Sequence, residues 1–292
     1  MRRRTTGIAA ALCALALAAC GGGDAEETTP VPEVGQSAEL EGGVWVVGDG
    51  AVAGEADDRL TEMMDGHGVD QLLYLGDVYE DGTLEEFEKN YDTAFGRFKP
   101  RTHPVVGNHD WRNHAEGYDA YWSDLMRRNR GRHYYAFDIG PWHFVALNTE
   151  EPLGPGSRQF RWVRRHMASR RDNCTMVISH APYLNAGEHG EDVEMKAVWE
   201  QLLRGKAVAV LSGHDHDYQR FQPEDGITQI IVGTGGRGLY EVNEEDSRLA
   251  ASDEKTFGAL RMELGKGRAS YDFVTIDARS LDSGALSCDP AR

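Results

Sequence analysis

The chain is short of positive charge, short of cysteine, and without a long apolar run. It has 31 Lys and Arg against 48 Asp and Glu, a formal net charge of −17 over 292 residues. An acidic excess of this size repels nucleic-acid backbones and anionic lipid head groups at long range. That argues against a nucleic-acid polymer as partner, and against membrane binding through a basic patch. The apolar run Ile8 to Ala19 is 12 residues long, well below the roughly 20 that a membrane-crossing helix needs. Disorder is excluded by a composition that is 40% hydrophobic and 27% charged, which fits a folded body able to bury a sizeable core.

The N-terminal segment is read apart from that body. Arg2, Arg3 and Arg4 precede the apolar run, which closes on Leu17-Ala18-Ala19-Cys20 followed by three glycines. A basic start, a short apolar stretch and small residues before a cleavage point have the form of an export signal. The segment resembles the lipobox of bacterial lipoproteins, which implies acylation of Cys20 after removal of residues 1–19. The alternative is an ordinary secretory signal with a chance cysteine; both imply export. Loss of residues 1–19 takes three arginines and no acids, leaving a net charge of −20, so the expected anchor to the cell membrane's outer surface is a lipid chain. Of the four cysteines, Cys13 and Cys20 belong to this region. Cys174 and Cys288 remain, either as a disulfide suited to an oxidising compartment or as two free thiols.

Residues 20–42 carry Gly, Glu, Thr, Pro and Ser and read as a flexible tether after the lipidated cysteine. From Gly43 onward, short apolar runs alternate with amphipathic stretches. Val44–Val47, Leu72–Leu75, Pro104–Val106, Tyr134–Phe137, Trp142–Leu147, Met176–Ile178, Val208–Leu211 and Ile227–Val232 are strand candidates. Thr83-Leu84-Glu85-Glu86 is a capping box opening a helix, and helices are expected near 159–168 and 193–203. Two more strand candidates, Ala259–Leu264 and Ala269–Ile276, follow without a helix between them. The alternation predicts an α/β domain with a buried sheet and an antiparallel layer or edge at its C-terminal end. There is no internal repeat.

Five strand candidates end in a short polar motif: Gly48-Asp49-Gly50, Gly76-Asp77, Gly107-Asn108-His109-Asp110, Ser179-His180 and Gly213-His214-Asp215-His216. Loops at the carboxyl ends of strands in an open α/β sheet converge on one place. Such a fold brings Asp49, Asp77, Asn108, His180, His214 and His216 together, with His109 close by. Oxygen and imidazole donors in that number suit two metal ions, and the lack of thiolates argues against a structural zinc site.

The five motifs, in this order and spacing, resemble the calcineurin-like metallophosphoesterases, and within them the purple acid phosphatases, over most of residues 43–240. The resemblance implies a four-layer α/β/β/α sandwich of two mixed sheets flanked by helices, with residues 43–292 as the catalytic domain. It further implies two metal ions, iron paired with iron, zinc or manganese, and a bridging hydroxide. Asp49, Asp77 and His216 would hold the first metal. Asp77, Asn108, His180 and His214 would hold the second, with Asp77 bridging. His109 matches the proton donor beside the leaving group, His189 a second substrate-facing histidine, and Asp110 is expected to orient the His109 ring. Gly233-Thr234-Gly235-Gly236 would form a tight loop by the metals. The third residue of the first motif, a histidine in many members, is here Ala51. The tyrosine of the purple acid phosphatases falls on Tyr79, one position early, with Glu80 in register; Tyr79 is preferred as the ligand. The implied reaction is hydrolysis of a phosphate ester by in-line attack, a phosphomonoester first and a phosphodiester or nucleotide as the alternative. A surface metal-binding module without turnover is the competing class.

Other residues have plainer readings. His67, His103, His114, His133 and His143 need no metal, His166 and the arginines around it are expected on a solvated helix face, and Tyr118, Tyr121 and Trp122 fit core packing as well as a pocket wall.

Overall fold

The computed structural model describes residues 42–290. The signal segment, Cys20 and most of the tether therefore lie outside the described residues. Val44, Trp45, Val46 and Val47, strand β1 (Val44–Val47), are all buried, because this run is apolar on both sides of the pleat. Val44 and Val46 face one core cluster and Trp45 and Val47 another. A strand buried on both faces reads as a continuous apolar run, as parallel strands between layers do. The same division recurs at β2 (Gln71–Tyr74), where Leu73 joins the first cluster and Leu72 and Tyr74 the second.

Two sheets result. The first has the order β13-β12-β11-β1-β2-β3, with β3 (Thr102–Pro104) parallel to β2 and β2 to β1. The antiparallel meander β11 (Gly258–Gly265), β12 (Arg268–Thr275) and β13 (Ser280–Ser287) extends it on the β1 side. The second sheet has the order β10-β8-β9-β7-β6-β5-β4. Its strands β5 (Trp142–Ala146), β6 (Thr175–Ser179), β7 (Ala209–Ser212) and β9 (Thr228–Val232) run parallel. The others, β4 (Tyr135–Ile139), β8 (Tyr218–Phe221) and β10 (Leu249–Asp253), are antiparallel to their neighbours.

Side chains from the inner faces of both sheets, Val46, Leu73, Phe144, Met176, Leu211 and Phe273 among them, form the central cluster. Helices cover the outer faces. Helix α1 (Glu55–Gly66) lays Leu60 and Met64 on the first sheet. There it is joined by α2 (Leu84–Glu86), a π-helical turn Phe87–Tyr91 and α3 (Asp92–Ala94), then by α4 (Asn108–Arg112), α5 (Tyr118–Tyr121) and α6 (Ser123–Arg128). Helix α7 (Arg158–Ser169), and α8 (Val193–Val198) continued by a π-helical turn Trp199–Leu203, cover the second sheet through Phe160, Val163, Met195 and Trp199. The layers are helix, sheet, sheet, helix.

The Thr83 capping box forms as the sequence predicts: the Thr83 hydroxyl accepts the Glu86 N–H at 3.2 Å, and Glu86 accepts the Thr83 N–H at 2.9 Å. Tyr118, Tyr121 and Trp122 pack in the second cluster with Phe87 and Tyr91. Cys174 and Cys288 are joined as a disulfide, which ties the C-terminal strand back to the start of β6. His166 departs from expectation: it is half-buried rather than solvated, its Nε2 2.7 Å from His143 Nε2 and its ring stacked on Trp162. The Arg-rich composition of α7 hid an inward-facing position.

Candidate metal centre

All five polar motifs leave the carboxyl ends of parallel strands, three in the first sheet and two in the second, and they meet where the two sheets' loops face each other. Reaching that point forces unusual backbone. Asp49, Asp77 and His214 sit at φ 59°, 67° and 77°, a left-handed region sparsely used by residues with side chains and tolerated where surrounding structure over-determines it. Glycines make the close approach. A Cβ on Gly213 would lie 2.4 Å from Asp49 Oδ2, and one on Gly107 would lie 2.1 Å from Asp77 Oδ1.

One ligand atom each from buried Asp49, Asp77 and His180 lies within 4.8 Å of the others. Around them the remaining donors close in. His180 Nε2 is 3.6 Å from Asp77 Oδ1, 2.9 Å from Asn108 Oδ1 and 3.1 Å from His214 Nδ1. On the other side, His216 Nε2 is 3.8 Å from Asp49 Oδ1 and 2.9 Å from the Tyr79 phenol oxygen, which is itself 3.3 Å from Asp49 Oδ1. Two of the rings are fixed from behind. His180 Nδ1 meets the Leu75 carbonyl at 2.8 Å and His216 Nδ1 the Gly238 carbonyl at 2.9 Å. Each ring then donates its Nδ1–H outward and turns the Nε2 lone pair into the cluster, the usual arrangement of a metal-binding imidazole.

The electrostatics point the same way. Burial, with the neighbouring Asp77, raises the Asp49 pKa well above the carboxylate range although His180 opposes it. Burial works to lower that of His180, but Asp77 and Asp49 outweigh it and drive it up to about 9. Burial and the other imidazoles push His214 down to about 2. Buried carboxylates beside inward-facing lone pairs are costly unless cations neutralise them. The donor set fits two oxygen- and nitrogen-bound metal ions: Asp49, Tyr79 and His216 on one side, Asn108, His180 and His214 on the other, and Asp77 between.

The side chains the sequence left open fall as follows. Tyr79 enters the cluster, whereas the Glu80 carboxylate turns away to pair with Arg237. Glu86 holds this loop by accepting the N–H groups of Glu80 at 2.7 Å and Asp81 at 3.1 Å. His109 is anchored twice. Its N–H donates to Asp77 Oδ1 at 2.9 Å and its Nδ1 contacts the Glu80 carbonyl, which leaves Nε2 4.0 Å from Asp77 Oδ2. Asp110 does not orient that ring, a correction to the sequence reading. Its buried carboxylate instead accepts the N–H groups of Asp77, Val78 and Gly107, each at 2.9 Å, and so braces the loop that carries the bridging aspartate. His189 is exposed at the rim, its Nδ1 3.2 Å from buried Asp215 Oδ1; that bond raises its pKa. Ala51 is buried in the second core cluster.

Three residues near the centre escaped sequence reading. Arg237 places its guanidinium 4.8 Å above the Tyr79 ring and donates its backbone N–H to the Asp49 carbonyl at 3.0 Å. Tyr240 stacks on His216 with ring centroids 4.1 Å apart. Asn185 grips the far oxygen of Asp215. They follow or precede the recognisable motifs by several residues, and nothing in their local pattern sets them apart. The Gly233–Gly236 segment does form a tight loop here: a Cβ on Gly233 would lie 1.8 Å from the Asp215 carbonyl oxygen.

With this geometry in place, comparison with known proteins is informative. A family model described as calcineurin-like phosphoesterase matches residues 44–218. The chain is 24% identical to tartrate-resistant acid phosphatase type 5 of Rattus norvegicus over 262 residues, 76% of this chain and 80% of that protein. It is 31% identical to purple acid phosphatase 22 of Arabidopsis thaliana over 173 residues, 53% of this chain and 39% of that protein. Among solved structures, a purple acid phosphatase from seeds of yellow lupin (Lupinus luteus) matches with a TM-score of 0.66 at 17% identity, over 84% of this chain. The chain spans 53% of that longer one, and the likeness is one of fold.

His133 joins helix α5 to the segment after β5, with Nε2 2.7 Å from Asp119 and Nδ1 2.8 Å from Glu151. Burial works to lower its pKa from 6.5, but the two carboxylates outweigh it and leave it raised. A raised folded-state value means stabilisation that is full below about pH 6.5 and lost as pH rises through the raised value. In urea unfolding, His133→Gln should therefore cost more stability at about pH 5.5 than at about pH 8.5; an equal cost at both would contradict the ion-pair account.

Proposed function

The chain belongs to the calcineurin-like phosphoesterase family, in its purple acid phosphatase-like branch, and from that premise we propose that this dinuclear-metal hydrolase acts on phosphomonoesters outside the cell. The observation that carries the reading is the convergence of Asp49, Asp77, Tyr79, Asn108, His180, His214 and His216 with His109 at their edge. A metal pair bound there supplies an activated water and neutralises the phosphate oxygens. Asp77 would be shared by the two ions in this reading, because its carboxylate has a ligand atom within 4.8 Å of Asp49 on one side and of His180 on the other. The phenol of Tyr79 is a hard oxygen donor, which favours ferric iron on its side, with iron, zinc or manganese on the other.

The chain's own residues do the rest. His109 has its Nδ1 held by the Glu80 carbonyl, so Nε2 is the atom that faces a departing oxygen and hands it a proton. Such a positioned donor contributes typically 10²- to 10⁴-fold. His189, steadied by Asp215, faces the same space from the opposite rim and receives a phosphate oxygen. Asp110 and Glu86 act through the backbone, keeping Asp77 and Tyr79 in place.

Aryl phosphate should be hydrolysed faster than bis-aryl phosphate; the reverse preference would contradict a monoesterase. His109→Ala should keep its metal content by elemental analysis and lose on the order of 10²-fold or more in turnover. Turnover like that of the parent would remove the proton-donor role, and a parent chain without two metals would remove the reading as a whole.

Export and anchoring through Cys20 rest on the basic start, the apolar run and the Leu-Ala-Ala-Cys segment. Radiolabelled palmitate should enter the parent chain and leave Cys20→Ser unlabelled, with the variant released from the membrane fraction; equal labelling of both would refute the anchor.

A further inference from the structure

A second group of imidazole side chains lies between the second sheet and α7. His143, the second residue of β5, pairs in register with Thr175 at the beginning of β6, while His180 of the candidate metal centre follows the end of that strand. His143 is thus at the opposite end of the sheet from the dinuclear centre. Its ring points out toward α7 and meets His166 there, the two Nε2 atoms 2.7 Å apart and the rings at 24° to one another.

We propose that His143 and His166 form a separate transition-metal site, taking one copper(II) or nickel(II) ion between their Nε2 atoms. The preparation of the pair supports this. Asp138 Oδ1 lies 2.6 Å from His143 Nδ1, so that nitrogen carries the proton and Nε2 is left with its lone pair. A carboxylate on the far nitrogen of an imidazole is the arrangement that fixes tautomer and orientation in metal-binding histidines. His166 is held by Trp162, whose ring stacks on it at 5.1 Å and 16°. Burial, then His143 and Arg170, lowers the His166 pKa to about 4, so this ring carries no positive charge at neutral pH.

Metal–nitrogen bonds of about 2.0–2.1 Å meeting at a right angle, the tetragonal geometry of copper(II) and nickel(II), put their nitrogens about 2.9 Å apart, close to the spacing already present. Imidazole nitrogen suits zinc, copper and nickel, with copper(II) bound tightest in that series. Arg170 acts on His166 as a cation, and its guanidinium is engaged by Asp172 at 3.1 and 3.3 Å. The Asp138 side chain is 40% exposed and His166 is half-buried, so solvent borders the pair and would supply the remaining ligands. The two rings come from different elements, a strand and a helix, so an ion between them also pins the end of α7 to the sheet.

The test uses the full chain with its dinuclear centre already loaded, titrated with Cu²⁺ alone and followed by electron paramagnetic resonance. One further equivalent of Cu²⁺ should bind, with hyperfine structure from two equivalent nitrogens. His166→Gln should abolish that signal, and Asp138→Asn should weaken binding about 10- to 100-fold. Phosphatase turnover should be unchanged in both variants. No additional equivalent in the parent chain would mean that the two rings only share a proton, and a signal surviving in His166→Gln would place the copper elsewhere; either result overturns the site.

Discussion

Asp49 and Asp77 are buried carboxylates set so close that their ligand atoms fall within 4.8 Å of His180 and of each other. Charges of this kind are retained only when paired or bound to cations, because removal from water costs several kcal/mol per ion. The surrounding imidazoles cannot discharge that cost alone, since His214 and His216 are driven toward the neutral form by burial. Two metal ions would resolve the conflict, held by the Nε2 atoms that His180 and His216 turn inward once Leu75 and Gly238 have fixed the opposite nitrogens.

The fold is arranged to make this convergence feasible. Parallel strands from two separate sheets end at the same place, and the central apolar core between them fixes their spacing. Left-handed backbone at Asp49, Asp77 and His214 costs energy locally and survives because the loops are tied down from several sides. Asp110 accepts three backbone N–H groups in that service, and the Thr83–Glu86 capping box steadies the loop that offers Tyr79. Helix capping and metal binding are thus linked through a single glutamate.

Much of this was legible in the sequence, for physical reasons. Apolar runs such as Val44–Val47 and Val208–Leu211 announced strands buried on both faces, and a polar Gly-containing motif after each marked where the chain leaves the sheet. The segregation of the inner and outer faces into separate cores could not be read from those runs, because a strand buried on both sides shows no alternation. Strand β13 was missed because Ser-Leu-Asp-Ser-Gly-Ala-Leu-Ser is a polar edge segment, held by its pairing with β12 and by the disulfide rather than by its own propensity. Helix α1 was missed because it opens at Gly54 without a side-chain cap. Asp110 was misread because proximity in sequence to His109 suggested contact between side chains, whereas a helix's third residue turns back to the backbone at its start. Arg237 and Tyr240 reach the centre only through the path of a loop, which no spacing rule encodes.

The central claim is that one pocket holds two cations bridged by Asp77. Anomalous diffraction from crystals of the metal-replete chain tests it most directly. The account predicts two peaks about 3.5 Å apart, one against Asp49, Tyr79 and His216 and the other against Asn108, His180 and His214, with Asp77 bonded to both. A single peak, or two peaks with Asp77 bonded to neither, would contradict it.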